Sequence, residues 1–216
     1  YTRPVPCELW FLNRARPKQH RDKVLMIDAR NIYRKVTRKI YDFSPEQEQN
    51  ILAIVWLYRG ETRRYLDLVA GYCQRMLAEG AACFATTDAG AVREPSLRDF
   101  IGALTTMRGV VEPFIKTLVG AIQESPLQEL DDAIPLFTAD VEAFRKAVTE
   151  QQAAWGSTGT ARRAPTNGEL KKAVNRLATL AETSRDLVKQ SDLLYKLACR
   201  LIETCENECN AKGSKA

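Results

Sequence analysis

The sequence predicts a mainly α-helical protein with a short N-terminal β-hairpin and a long C-terminal helix. Two short apolar runs rich in β-forming residues lie within the first thirty positions. The middle of the chain carries repeated helix-start and helix-stop residues, and a later stretch of some forty residues contains no Gly or Pro. We expect a hairpin and linker over 1–43, a helical body over 44–155, a linker over 156–168 and a long helix over 169–210.

Composition is typical of a globular chain, and no segment has the length and apolarity of a membrane span. The 216 residues are 45% hydrophobic and 27% charged. No apolar run approaches the roughly 20 residues that a spanning helix requires, and the N-terminus lacks a secretory signal pattern. We therefore expect a cytoplasmic protein without membrane partners. The chain begins with Tyr1 and not with Met, which we interpret as the mark of a piece of a longer protein.

Positive charge is concentrated near the N-terminus. Residues 1–40 contain 11 Lys and Arg against three acidic residues, a balance of +8, whereas the whole chain carries +5. A basic head on a nearly neutral body favours an anionic partner, and nucleic acid is the leading candidate. A simple solubilising surface is the alternative.

Two apolar runs, Cys7–Leu12 and Lys23–Asp28, predict the strands of an antiparallel hairpin. The ten residues between them are polar and contain Pro17, which predicts a loop. Continuous apolar runs fit strands that are covered on both faces, and an isolated hairpin is only marginally stable. We expect these strands to belong to a larger sheet, and the chain after Ala29 to become helical.

Helix boundaries in the body follow from capping residues. Ser44, Pro45 and Gln47 predict a helix start with a capping box, and Gly60 predicts its end. A second helix is expected to stop at Gly80. A third opens at Ser96 and Asp99, with Pro113 expected to kink or split it. A further helix is expected over 138–155.

The last helix begins with a second capping box, Thr166 and Glu169. Its apolar residues recur at steps of three and four, which is typical of a coiled coil or a helical bundle. This pattern allows either a helix folded back on its own domain or a contact with another chain. Under the second interpretation, changing two of the leucines to Asp abolishes association and leaves the body folded. The residues expected at the interface are Leu177, Leu187, Leu194 and Leu201.

No constellation of catalytic, cofactor-binding or metal-binding residues is found in the sequence. The single histidine, His20, lies in an arginine-rich loop. Phosphate-binding and nucleophile motifs are missing. Cys205 and Cys209 lie one helical turn apart but have no further ligands nearby, so a zinc site is not expected. From the residues alone, the chain is interpreted as a helical interaction module with a basic head.

The N-terminal quarter resembles a known family. The segments LWFLNR (9–14) and KVLMIDAR (23–30), followed by FSPEQEQNI (43–51) and WLYRGE (56–61), resemble the modification subunits of type I restriction–modification systems. The resemblance covers residues 5–61. It implies an S-adenosylmethionine-dependent DNA adenine methyltransferase that works with a specificity subunit and a restriction subunit.

The resemblance also implies which part of such a subunit this chain is. In the family a Gly-rich loop binds the methyl donor and an Asn-Pro-Pro-aromatic motif grips the flipped adenine, both upstream of the hairpin strands. Neither motif occurs here. The chain is therefore interpreted as the C-terminal portion, starting at the last strands of the methyltransferase sheet. Alone it is expected to be inactive and to hold no cofactor, with S-adenosylmethionine bound by the parent protein.

Two interfaces are expected from this interpretation. Phosphate contacts are expected from the loop between the strands, through Arg14, Arg16, Lys18 and Arg21. The last helix is expected to dock against the specificity subunit or to pair with a second copy of itself. The alternatives are a stand-alone helical scaffold that oligomerises through its last helix and a small basic nucleic-acid-binding module.

Overall fold

The computed structural model describes residues 8–14, 17–84, 96–117, 126–157 and 165–211. The chain forms two compact units, Tyr1–Gly71 and Tyr72–Ala216. Within the described ranges the protein is mainly helical, as predicted. The strands are β1 (Glu8–Phe11), β2 (Leu25–Asp28), β3 (Arg34–Lys35) and β4 (Tyr41–Asp42). The helices are α1 (Pro45–Tyr58), α2 (Thr62–Ala82), α3 (Leu97–Thr117), α4 (Pro126–Ser157) and α5 (Asn167–Ala211).

The first hairpin has the predicted antiparallel pairing. Leu9 lies opposite Ile27 and Trp10 opposite Met26 across β1 and β2. Since neighbouring side chains on a strand point to opposite faces, Leu9 and Ile27 share one face, and Trp10 and Met26 share the other. Ile27 is buried, and β2 packs on α1. The face with Trp10 and Met26 is open.

A second hairpin replaces the helix expected after Ala29. Strands β3 and β4 are antiparallel, with Arg34 opposite Asp42 and Lys35 opposite Tyr41. The Arg34 guanidinium donates to both carboxylate oxygens of Asp42, at 2.9 and 2.7 Å. This cross-strand pair stabilises a turn that two-residue strands alone would hold weakly. The helical expectation for this segment was therefore wrong.

Helix α1 begins and ends at the predicted residues. Ser44 Oγ accepts from the Gln47 amide, and Gln47 Oε1 accepts from the Ser44 amide, which completes the capping box. At the other end Gly60 has φ +80°. The amides of Gly60 and Glu61 donate to the carbonyls of Leu57 and Trp56. This is a Schellman ending, which requires the left-handed conformation that glycine adopts without strain.

Helix α2 continues through Gly80 to Ala82, where a stop had been expected. A glycine ends a helix only when the chain there turns left-handed, and Gly80 instead faces the Val148 side chain on α4. The boundary between the two units falls at Gly71, inside α2. Helix α1 therefore belongs with the hairpins and not with the helical body predicted over 44–155.

Two prolines lie inside continuous helices. Ser96 and Asp99 cap α3 as predicted, but Pro113 does not split this helix, which runs to Thr117. Helix α4 starts at Pro126, twelve residues before the predicted start, and contains Pro135. A first-turn proline has no hydrogen bond to lose. An interior proline loses one, and in α4 the burial of Leu130 and Phe137 on either side opposes that loss.

Helices α4 and α5 form the main packing of the second unit. Their 32 and 45 residues correspond to about 48 and 68 Å. The nine residues that separate them span at most about 36 Å when extended, so two helices in contact over this length must run antiparallel. Gln190 Nε2 donates to Asp140 Oδ2 at 2.9 Å, which shows which parts of the two helices lie side by side. The core between them contains Val141, Phe144, Leu187, Leu194 and Leu201.

Candidate functional site

The basic loop between β1 and β2 is anchored to helix α1. Residues Lys18–His20 form a single 3-10 turn. The His20 ring packs edge-on against the Tyr58 ring with the centroids 4.4 Å apart. The Tyr58 hydroxyl donates to the Lys23 carbonyl at 3.1 Å. These two contacts hold the C-terminal half of the predicted loop against α1.

The four cations predicted to meet phosphate have different surroundings. Lys18 and Arg21 flank one turn and are exposed, so their side chains leave the chain close together. Arg14 is also exposed and lies three residues after β1. Arg16 lies outside the described residues. The structure therefore brings two of the four together, on an anchored turn.

A further group of cations lies on the second hairpin. All six residues from 35 to 40 are exposed, and three of them are the cations Lys35, Arg38 and Lys39. We call these six residues the hairpin tip. The sequence contains the charges, but only the β3–β4 pairing brings them onto one narrow turn. Sequence reasoning missed this group because it expected a helix here.

The four leucines expected at a partner interface are buried within the chain itself. Leu177, Leu187, Leu194 and Leu201 are each at most 5% exposed, and α5 packs along α4. The helix thus folds back on its own domain, one of the two alternatives that the sequence left open. Another chain can reach these leucines only if α5 separates from α4, so their role in a partner interface stays a prediction that requires this separation.

A second apolar stripe remains open on α5. Val174, Ala181, Val188, Tyr195 and Ile202 follow one another at intervals of seven residues and lie outside the buried seam. We call this set the outer stripe. Val188 is 65% exposed and Tyr195 61% exposed. The sequence pattern had merged this stripe with the buried leucines because both recur with the same heptad period.

Acidic residues of the helical body have structural partners. Arg108 donates to Asp131 at 2.6 and 3.0 Å and to Glu112 at 2.6 Å, which joins α3 to α4. Hydrogen bonding to Asp131 raises the pKa of the Arg108 guanidinium. Arg145 donates to Glu142 at 2.7 Å and lowers the pKa of that carboxyl. The first pair therefore holds two helices together, whereas the second is a contact between neighbouring turns of α4.

The cysteines do not assemble into a metal centre in the described part of the chain. No group of three or more His, Cys, Asp and Glu side chains is suitably placed there. Burial raises the pKa of the Cys73 and Cys205 thiols, as expected of structural cysteines in a core.

Among the described helices, none is long and apolar enough to cross a membrane.

Comparison with known proteins bears on the N-terminal unit. The profile of the family described as N-6 DNA methylase matches residues 1–77. No curated protein and no solved structure matches the chain. The matched segment includes both hairpins, the anchored basic loop, α1 and most of α2. The first third of the chain is therefore a region related to the N-6 DNA methylases.

Proposed function

We propose that this chain is the C-terminal portion of the modification subunit of a type I restriction–modification enzyme. The parent protein would be an S-adenosylmethionine-dependent, site-specific DNA adenine methyltransferase. The role of this portion is subunit assembly and DNA support. Methyl transfer belongs to the donor-binding and adenine-binding motifs, which in the resembling family precede the hairpin strands.

The observation that carries the proposal is the first hairpin within a segment that matches the N-6 DNA methylases. Ile27 is buried on β2, which packs on α1, and Leu9 shares its face, whereas Trp10 and Met26 on the other face are 63% and 55% exposed. An isolated two-stranded hairpin with one apolar face open is marginal. Apolar residues on both faces suit strands at the end of a covered α/β sheet, which supports the placement at the end of a methyltransferase domain.

Methyl-donor binding tests this placement directly. We expect this chain alone to show no S-adenosylmethionine binding by calorimetry, because it lacks the donor loop. In the parent protein we expect Trp10→Glu with Met26→Glu to reduce donor binding and methyl transfer to DNA, because a charge would separate the hairpin from the sheet. Val110→Glu is the matched control, since Val110 is 73% exposed on α3. Donor binding by the isolated chain would contradict the proposal.

The assembly role is supported by the outer stripe of α5. Its five residues are spaced seven apart and extend over four heptads, which is about eight helical turns. The stripe lies next to the seam in which α4 covers the leucines, so a further helix could pack there without opening the unit. In the resembling family the expected occupant is a long helix of the specificity subunit. The restriction subunit joins the same complex.

Co-purification with the cognate specificity subunit tests the assembly role. We expect Val188→Asp with Tyr195→Asp to abolish association, since both side chains are exposed and their change leaves the core intact. The matched control is Leu193→Asp with Val110→Asp. Leu193 is 52% exposed on the same helix but lies off the stripe. Association that survives the stripe change, or that fails equally in the control, would contradict the proposed interface.

A further inference from the structure

The second hairpin is closed by contacts at its base and at its turn. At its base Arg34 and Asp42 form a two-bond ion pair, and the Tyr33 and Tyr41 rings pack edge-on at 5.4 Å. At its turn the Val36 and Thr37 amides donate to the Ile40 carbonyl, at 3.0 and 3.2 Å. The Thr37 hydroxyl accepts from the amides of Lys39 and Ile40. These bonds connect the two arms of the turn within the hairpin tip.

The charge of the tip is not neutralised within the described part of the chain. The hairpin contains one acidic residue, Asp42, and Arg34 already pairs with it. Lys35, Arg38 and Lys39 form no ion pair among the described residues, so residues 35–40 carry +3. By contrast Arg30, Arg63 and Arg64 each pair with a carboxylate within four positions.

Apolar side chains accompany these cations. Val36 and Ile40 close the turn and are 51% and 53% exposed. Lysine and arginine on an exposed turn suit phosphate oxygens. A two-stranded ribbon is narrow enough to enter the major groove of duplex DNA, where apolar side chains contact thymine methyl groups. The nearest aromatic rings pack on each other at the base, so the tip offers no stacking platform for single-stranded bases.

We propose that the hairpin tip binds duplex DNA. Lys35, Arg38 and Lys39 contact backbone phosphates, and Val36 and Ile40 pack against the groove. The choice of DNA as the anionic partner rests on the proposed function, because the tip lies within the segment that matches the N-6 DNA methylases. This surface is distinct from the loop with Arg14, Lys18 and Arg21, and it adds its own phosphate contacts.

Salt-dependent binding of the 216-residue chain to a fluorescein-labelled mixed-sequence 20-base-pair duplex tests the inference. The test variant is Lys35→Ala with Arg38→Ala and Lys39→Ala. The control variant is Lys171→Ala with Lys172→Ala and Arg176→Ala, three exposed cations on α5. Both variants lower the net charge from +5 to +2, so they differ only in which cations they remove.

The tip variant should bind the duplex about 100-fold more weakly at low salt, and its plot of log K against log salt should flatten by about 2.7, near 0.9 per lost phosphate contact. The control should retain the wild-type slope. Val36→Ser with Ile40→Ser should weaken binding several-fold without changing the slope, because it removes no charge. Circular dichroism checks that each variant keeps the wild-type helix content.

Several results would overturn the inference. The first is that the wild-type chain does not bind the duplex at 25 mM salt. The second is that the tip and control variants lose the same amount of duplex affinity. The third is that the chain binds the single strand more tightly than the duplex. Binding of phosphatidylglycerol vesicles with the same loss in the tip variant, but no duplex binding, would assign the tip to a membrane surface. Tip-dependent DNA binding without association of the specificity subunit would uphold this inference and contradict the assembly role alone.

Discussion

Gly80 on α2 packs so closely against Val148 on α4 that a β-carbon at Gly80 would lie 3.2 Å from Val148 Cγ2. Most β-carbons keep a larger distance from their neighbours, so any other residue here would push α2 from α4 or displace the valine. The glycine thus sets how closely these two helices approach, which explains why it lies inside a helix that it would ordinarily weaken.

Replacing helical glycines should distinguish this contact from ordinary helix propensity. Gly102→Ala in α3 meets nothing within 4 Å and should stabilise the protein by about 0.5–1 kcal/mol. Gly80→Ala should not give this increase in stability, because the added β-carbon would press against the Val148 side chain. Chemical denaturation measures both changes. Adding Val148→Ala to Gly80→Ala should reveal favourable coupling between the two sites, and additive effects would contradict the close contact.

The two sides of α5 should respond differently to substitution. Leu187→Ala should destabilise the second unit by about 2–5 kcal/mol, because Leu187 is buried. Val188→Ala, one position along and exposed, should change the free energy of unfolding by less than about 0.5 kcal/mol. Thermal unfolding followed by circular dichroism measures both.

Leu187→Asp with Leu194→Asp should likewise unfold the helical unit and not merely release a partner. A charge at either position would be buried without a counter-ion. This outcome differs from the expectation drawn from the sequence, in which the same change left the helical body folded. A folded double variant would show that α5 leaves α4 readily and would restore that expectation.

Asp28 should titrate well below an ordinary aspartate. Side-chain hydrogen bonds from Arg30 lower the Asp28 pKa from 3.8 to about 2. Because the folded-state pKa lies below the unfolded value, this pair stabilises the fold above about pH 4 and the contribution disappears as the pH falls toward 2. Carboxyl chemical shifts measured by NMR should give this midpoint. Arg30→Gln should raise it toward 3.8 and leave the titration of Asp42, which pairs with Arg34, unchanged.

The Arg108–Asp131 ion pair should contribute more to the free energy of unfolding than an ion pair on the open surface. Its side chains are about one-third exposed or less, and two hydrogen bonds join them between α3 and α4. A double-mutant cycle with Arg108→Gln and Asp131→Asn should give a coupling of about 1 kcal/mol. The exposed pair Arg63–Asp67 within α2 should give about 0.3–0.5 kcal/mol. Equal coupling energies for the two pairs would contradict the idea that partial burial strengthens the Arg108–Asp131 pair.

Elements defined by neighbouring residues could be predicted from the sequence. The capping boxes at Ser44–Gln47 and Thr166–Glu169 each join residues three positions apart, so local chemistry alone specifies them. The first hairpin was predicted because its strands are apolar runs of adequate length. The β3–β4 hairpin was missed because two-residue strands have no periodicity to detect.

The candidate interfaces depend on contacts that the sequence does not reveal. Leu187 and Val188 belong to one heptad pattern, and only the position of α4 decides which of them is covered. The tip cations acquire a common location only when β3 pairs with β4. The sequence therefore indicates an apolar α5 and a basic N-terminal region, but it cannot separate the buried side of that helix from its exposed side.

The antiparallel packing of α4 and α5 also bears on the order in which the chain folds. Gln190 and Asp140, which form a hydrogen bond, are 50 positions apart in the sequence. Residue pairs nearer the segment that connects α4 to α5 are separated by far fewer positions. Contacts that are close in sequence form quickly, so pairing should begin beside the connection and proceed toward Leu130 and Leu201. During synthesis, however, the side of α4 that packs on α5 stays exposed until α5 has left the ribosome. The nascent chain consequently presents an apolar helix face during that interval, the kind of surface that chaperones bind.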